Sequence, residues 1–162
     1  MDAENLMNTL TKLLRLHQSL LQVSEKKSEI VKQNDIDALS LIMKDENKHV
    51  LAINQLEEER KLLVAKVMSG HPFDQESPTL SDCIKIVNEE QGEKLAELQQ
   101  ELLEVLGRLQ EVNKLNQQLV HQSLQFVNLN IDMLRPQQVE YNYGNQKSTT
   151  TPKSQTYFDS KA

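Results

Sequence analysis

Apolar positions recur at helical spacing over most of the chain. Leu6, Leu10, Leu13 and Leu20, with Met7, Leu14 and Leu21 beside them, form a stripe over a first segment from about Ala3 to Lys32. Thirty residues of helix span about 45 Å. "KQND" (Lys32 to Asp35) is a weak break, because Asn34 or Asp35 can accept from the free N–H groups of a new helix. It predicts either a bend or a true helix end. Leu39, Ile42, Val50, Ile53, Leu56, Leu63 and Val67 continue an apolar face from about Ile36 to Ser69, with Met43 on its edge. Gly70 suits the position after that helix, and Pro72 prevents its resumption. "GHPFDQESP" (Gly70 to Pro78) is an interior loop long enough for an antiparallel return.

A third helical stretch starts at Ser77 with Pro78, or at Thr79 with Asp82 three residues on. Leu80, Ile84 and Val87 give it a short apolar patch, and Gly92 marks a kink or a second start. From Leu95 the spacing alternates three and four: Leu95, Leu98, Leu102, Val105, Leu109, Val112, Asn116, Leu119, Ser123, Phe126, Asn130, Met133. That is a heptad seam. Leu95 to Val112 should be core within the chain. The seam then turns polar at Asn116, Ser123 and Asn130, which costs stability and usually sets register or partner.

Where the seam weakens, a second apolar row appears. In "LVHQSLQFVNLNIDMLRP" (Leu119 to Pro136), Leu119, Phe126 and Met133 continue the seam. Val120, Val127 and Leu134 line up separately, with Leu124 and Ile131 beside them. His121, Gln125, Asn128 and Asp132 fill the far side. A two-helix contact needs one narrow stripe, so the second row calls for a partner. Ordinary bundle core or a homodimer contact would also hide it.

After Pro136 the periodicity stops. Gln137 to Ala162 is polar and is predicted to be a disordered tail. It nevertheless holds Tyr141, Tyr143, Tyr157 and Phe158, four of the chain's six aromatic residues. A folded core would normally claim these, and aromatics are common binding anchors. The predicted architecture is therefore all-α. It is an elongated antiparallel helical bundle or coiled coil over residues 1–136, with a long C-terminal helix and a tail over 137–162.

Composition narrows the function. The 162 residues carry a net charge of −6, which argues against a nucleic-acid partner and against an anionic membrane surface. No run of about eighteen apolar residues occurs, so no membrane insertion is expected. The lone Cys83 cannot form an internal disulfide and fits a reducing compartment, and "MDAENLMNTL" lacks the basic start of a secretory signal. The expected location is cytoplasmic. Glu46 and His49 have the i,i+3 spacing of di-iron bundle ligands, but no second Glu-x-x-His accompanies them. There is no phosphate loop and no nucleophile elbow. Neither catalytic residues nor a cofactor are expected, and Cys83 reads as a buried structural residue.

Two stretches carry a resemblance. "DIDALSLIMKDENKHVLAINQLEEERK" (Asp35 to Lys61) is similar to the N-terminal half of the FlgN family of flagellar export chaperones. It shares an Asp-led helix start, an acidic stretch and a "LExxR"-like close at Leu56 to Arg60. "LGRLQEVNKLNQQLVHQSLQFVNLNIDMLRP" (Leu106 to Pro136) resembles the family's long C-terminal helix, and a "YG" follows at Tyr143–Gly144. The resemblance implies a cytoplasmic chaperone for hook-associated proteins, the hook–filament junction proteins. It would hold their C-terminal helical segments and deliver them to the export gate FlhA. The expected client contacts are Val120, Leu124, Val127, Ile131 and Leu134. Tyr143, with Gly144, matches the family's gate-docking position, while the "YFDSKA" end departs from the better-known enterobacterial pattern. A homodimeric coiled-coil scaffold is the alternative, and a homodimer of the client-free chaperone is also open.

Overall fold

The computed structural model describes residues 1–73 and 76–135. They form α1 (Asp2–Gln33), α2 (Ile36–Val67), α3 (Leu80–Ile86) and α4 (Glu89–Leu134), with no strand among the described residues. The all-α reading is correct. The expected disorder of Gln137 to Ala162, and with it Tyr143 and Gly144, lies outside the described residues.

Two adjacent residues make the break at "KQND" a complete reversal. Asn34 closes α1 in the left-handed region, at φ 56° and ψ 31°. Asparagine is among the few side chains that tolerate this conformation. Asp35 then opens α2, its carboxylate accepting from the Ala38 N–H at 2.9 Å. The hairpin is antiparallel, because α1 residues of rising number meet α2 residues of falling number. Thr9 donates to Glu59 at 3.0 Å, Ser19 meets His49 at 2.8 Å, and Lys27 pairs with Glu46 at 2.7 Å.

At the far end Gly70 takes φ 83°, a conformation that suits glycine. Of the two expected starts for α3, the chain uses Thr79 with Asp82. Thr79 accepts from the Asp82 N–H, and the Asp82 carboxylate accepts from the Thr79 N–H at 3.0 Å. The Thr79 hydroxyl, donating to the same carboxylate at 2.6 Å, and the Thr79 N–H, aided by Lys85, hold the Asp82 carboxyl below its usual range. Asn88 caps α4 by accepting from the Gln91 N–H at 2.9 Å. Gly92, in the first turn, has only 3.2 Å between a would-be Cβ and the Ile84 carbonyl oxygen. Its lack of a side chain lets α4 start close against α3.

α1 lies between the other two long helices and packs on both, whereas α2 and α4 make no direct backbone contact. Leu6, Leu10 and Leu13 of α1 join Leu95 of α4 in one core with Ile53, Leu63 and Val64. Leu14 and Leu21 join Val105 and Leu109. Ser24 and Ser28 meet Asn116. Residue numbers rise together, so α4 runs parallel to α1 and antiparallel to α2. α4 starts at the end where α2 finishes, Leu95 sharing a core with Leu63 and Val64, and so runs in the direction of α1. The seam from Leu95 to Val112 is thus intramolecular, as its spacing predicts. Cys83 is fully buried beneath α2, and burial pushes its thiol pKa up.

Asn116 is 3% exposed. Its amide donates to the Ser24 carbonyl at 2.9 Å and accepts from the Ser28 hydroxyl at 2.6 Å. Such a group fits one register only, since sliding α4 by a turn would bury it unpaired. Asn116→Ala is expected to lower stability by about 1–3 kcal/mol, the cost of lost buried hydrogen bonds. Urea denaturation with an unchanged m-value would check it.

Candidate functional site

The seam loses its partner because the helices differ in length. α4 has 46 residues and α1 has 32. With Ser28 beside Asn116, α1 ends at about the level of Ser123, and the rest of α4 projects past the α1–α2 corner. Leu119, Val120 and Ser123 are half-buried there. Beyond them Leu124, Phe126, Val127, Leu129, Ile131, Met133 and Leu134 are all between 49% and 82% exposed. Exposed apolar side chains elsewhere come in ones and twos, such as Val50 with Leu51 and Leu103 with Leu106. A contiguous run of this kind marks an interaction surface.

A groove of about 330 Å³ opens where α4 passes the corner. Ile30 and Val31 of α1, Ile36 and Leu39 of α2, and Val120, Leu124, Phe126 and Val127 of α4 line it. Asn34, Asp35 and Ser123 add polar atoms. The structure therefore gathers three of the five expected contact residues, Val120, Leu124 and Val127, around one cleft. Ile131 and Leu134 lie outside it, on the projecting turns. Residue spacing along α4 missed Phe126 and Met133, which belong to the seam but face solvent past the end of α1. It also missed Ile30 and Ile36, and it set Leu39 on the apolar face of α2 without linking it to this cleft.

The opening between α2 and α4 mixes polar and apolar walls. One part, of about 530 Å³, is lined largely by Lys27, Glu46, Asn113, Asn116, Gln117 and His121. Val120 and Leu124 close its other side, so it shares these two residues with the apolar groove. The Glu46–His49 pair is engaged in helix contacts. Glu46 takes Lys27, and His49 bonds through Nδ1 to the Asp45 carbonyl at 2.9 Å and through Nε2 to Ser19. No group of three or more His, Cys, Asp or Glu side chains could hold a metal among the described residues. No helix there is long and apolar enough to cross a membrane.

Comparison with known proteins gives this geometry a context. The FlgN protein family model matches residues 1–151. The chain belongs to the FlgN family. A Bacillus subtilis (strain 168) relative described as "Uncharacterized protein YvyG" is 37% identical over 164 residues, covering 100% of both chains. No solved structure matches the chain. FlgN proteins are flagellar export chaperones rather than a family of enzymes, which agrees with a molecule whose main surface feature is an uncovered apolar helix end.

Proposed function

We propose that this FlgN-family protein is a cytoplasmic chaperone whose clients are hook-associated proteins. It covers the C-terminal helical segment of a client with the face formed by Val120, Leu124, Val127, Ile131 and Leu134. It thereby prevents premature assembly, and it delivers the client to the export gate FlhA. The observation that carries this reading is the apolar run of α4 that continues after α1 has ended. An amphipathic client helix laid on it would bury its own apolar stripe together with that of α4. Clients that make coiled-coil contacts once assembled need such a cover beforehand. Size-exclusion chromatography with light scattering, run with and without a purified hook-associated protein, tests the reading. A one-to-one complex supports it. A client-independent dimer with no complex favours the alternative, a homodimeric scaffold joined through the same face.

Residues 1–136 would hold the client and 137–162 would act in delivery. Tyr143 is the proposed gate anchor, its ring offering contact area and its hydroxyl a hydrogen bond. Gly144 lets the chain turn away without a Cβ clash. Tyr143→Ala is expected to leave helicity and client affinity unchanged and to weaken binding to the cytoplasmic domain of the gate. Calorimetry with the client-loaded chaperone checks this, and equal gate affinity for both proteins would refute the role of Tyr143.

A further inference from the structure

We propose that the segment Val139–Gly144 of this same chain occupies the groove at the α1–α2 corner in the free protein. A client then has to displace it. The second statement rests on the chaperone reading, and the first does not.

The chain leaves α4 at Arg135, at the end of the molecule where the groove lies. The groove residues of α4, Val120 to Val127, lie about 12–22 Å back along the helix at 1.5 Å per residue. With Pro136 to Gln138 spent on a reversal, Tyr141 to Gly144 reach about 10–20 Å back along the helix when extended. That range overlaps the groove, so the tyrosine-bearing part of the segment comes alongside it and Val139 stays at its mouth. Proline at 136 cannot continue the helix.

The chemistry fits as well as the reach. In "VEYNYG", Val139, Tyr141 and Tyr143 alternate with Glu140 and Asn142. An extended chain points alternate side chains to opposite faces, so this one would present an apolar, aromatic face and a polar one. Ile36, Leu39, Phe126 and Val127 offer apolar wall, and Asn34 and Ser123 stand where a tyrosine hydroxyl could bond. Tethering gives the segment an effective concentration in the millimolar range, so even a weak contact is populated. A second copy of the chain would instead have to offset lost translational and rotational freedom.

The chain has three tyrosines and no tryptophan. All three tyrosines follow Pro136, so tyrosine emission reports this part of the chain alone. In a Tyr157→Phe background the emission comes only from Tyr141 and Tyr143. Acrylamide quenching is expected to be weaker in this protein than in the same protein carrying Ile36→Asp. Ile36 is 78% exposed and opens α2, where an acidic residue is tolerated. Equal quenching in the two proteins overturns the proposal. So does protection that grows with protein concentration, which would identify a second copy as the occupant. Removal of residues 137–162 should tighten binding of the C-terminal helical segment of a hook-associated protein by about tenfold, for a tethered contact populated roughly ten to one. Equal affinity with and without the tail overturns the competition. Failure of that segment to bind either protein would count against the chaperone reading, while the quenching still decides what fills the groove.

Discussion

Val127→Asp and Ile131→Asp are each expected to abolish useful client binding while the free protein stays folded. The two side chains are 50% and 49% exposed in the free chain, so a carboxylate there remains hydrated until a client arrives. The contact would then strip its water without supplying a cation. Leaving a charge unpaired in such a contact costs about 2–5 kcal/mol. At 1.4 kcal/mol per decade this is roughly a 30- to 3,000-fold loss of affinity. Val127 is the cleaner site. Ile131 sits in the last turn of α4, where negative charge also opposes the helix dipole by about 0.3–1 kcal/mol. Asn128→Asp supplies the control, since it adds the same charge on the polar side of α4. Calorimetric titration should show wild-type affinity for Asn128→Asp and a collapse for the other two. Wild-type affinity in all three would refute the assigned face.

The largest expected loss of stability is at Leu95. It is 0% exposed and belongs to the core built from Leu6, Leu10, Leu13, Leu63 and Val64. Leu95→Ala removes three carbons from a packed site and leaves a cavity, at a cost of about 2–5 kcal/mol. Leu102 occupies an equivalent heptad position but is only half-buried beside that core, so Leu102→Ala should cost clearly less. Urea unfolding of the two variants checks the order. The reverse order would mean that the register of α4 on α1 differs from the one fixed by Asn116.

Most helix ends were legible because their chemistry is local. Asp35 and Thr79 each act on groups within a few residues, and such signals survive without a fold; Asn88, four residues before the Gly92 that the sequence offered as a second start, was not read as the cap of α4. The parallel contact between α1 and α4 was not legible. A heptad seam states that a partner exists but carries no address for it, and the antiparallel α2 was an equally good candidate. The seam also continues through Phe126 and Met133 at unchanged spacing after its partner has stopped. Only the register set by Ser28 and Asn116 shows that these two side chains face solvent. The corner residues Ile30, Ile36 and Leu39 were hidden for a related reason. They are brought beside Val120 and Val127 by the hairpin reversal and by the parallel return of α4, two long-range events that no spacing within one helix encodes.

The central claim is that the client lies on the part of α4 that outruns α1. Hydrogen–deuterium exchange with and without the purified C-terminal helical segment of a hook-associated protein tests it directly. The free protein should exchange slowly over the buried seam from Leu95 to Val112 and faster from Leu124 to Leu134, where neighbouring helices no longer protect the turns. Client addition should slow exchange chiefly from Val120 to Leu134. New protection confined to α2, or to the opening around Gln117 and Glu46, with Leu124 to Leu134 unchanged, would contradict the account.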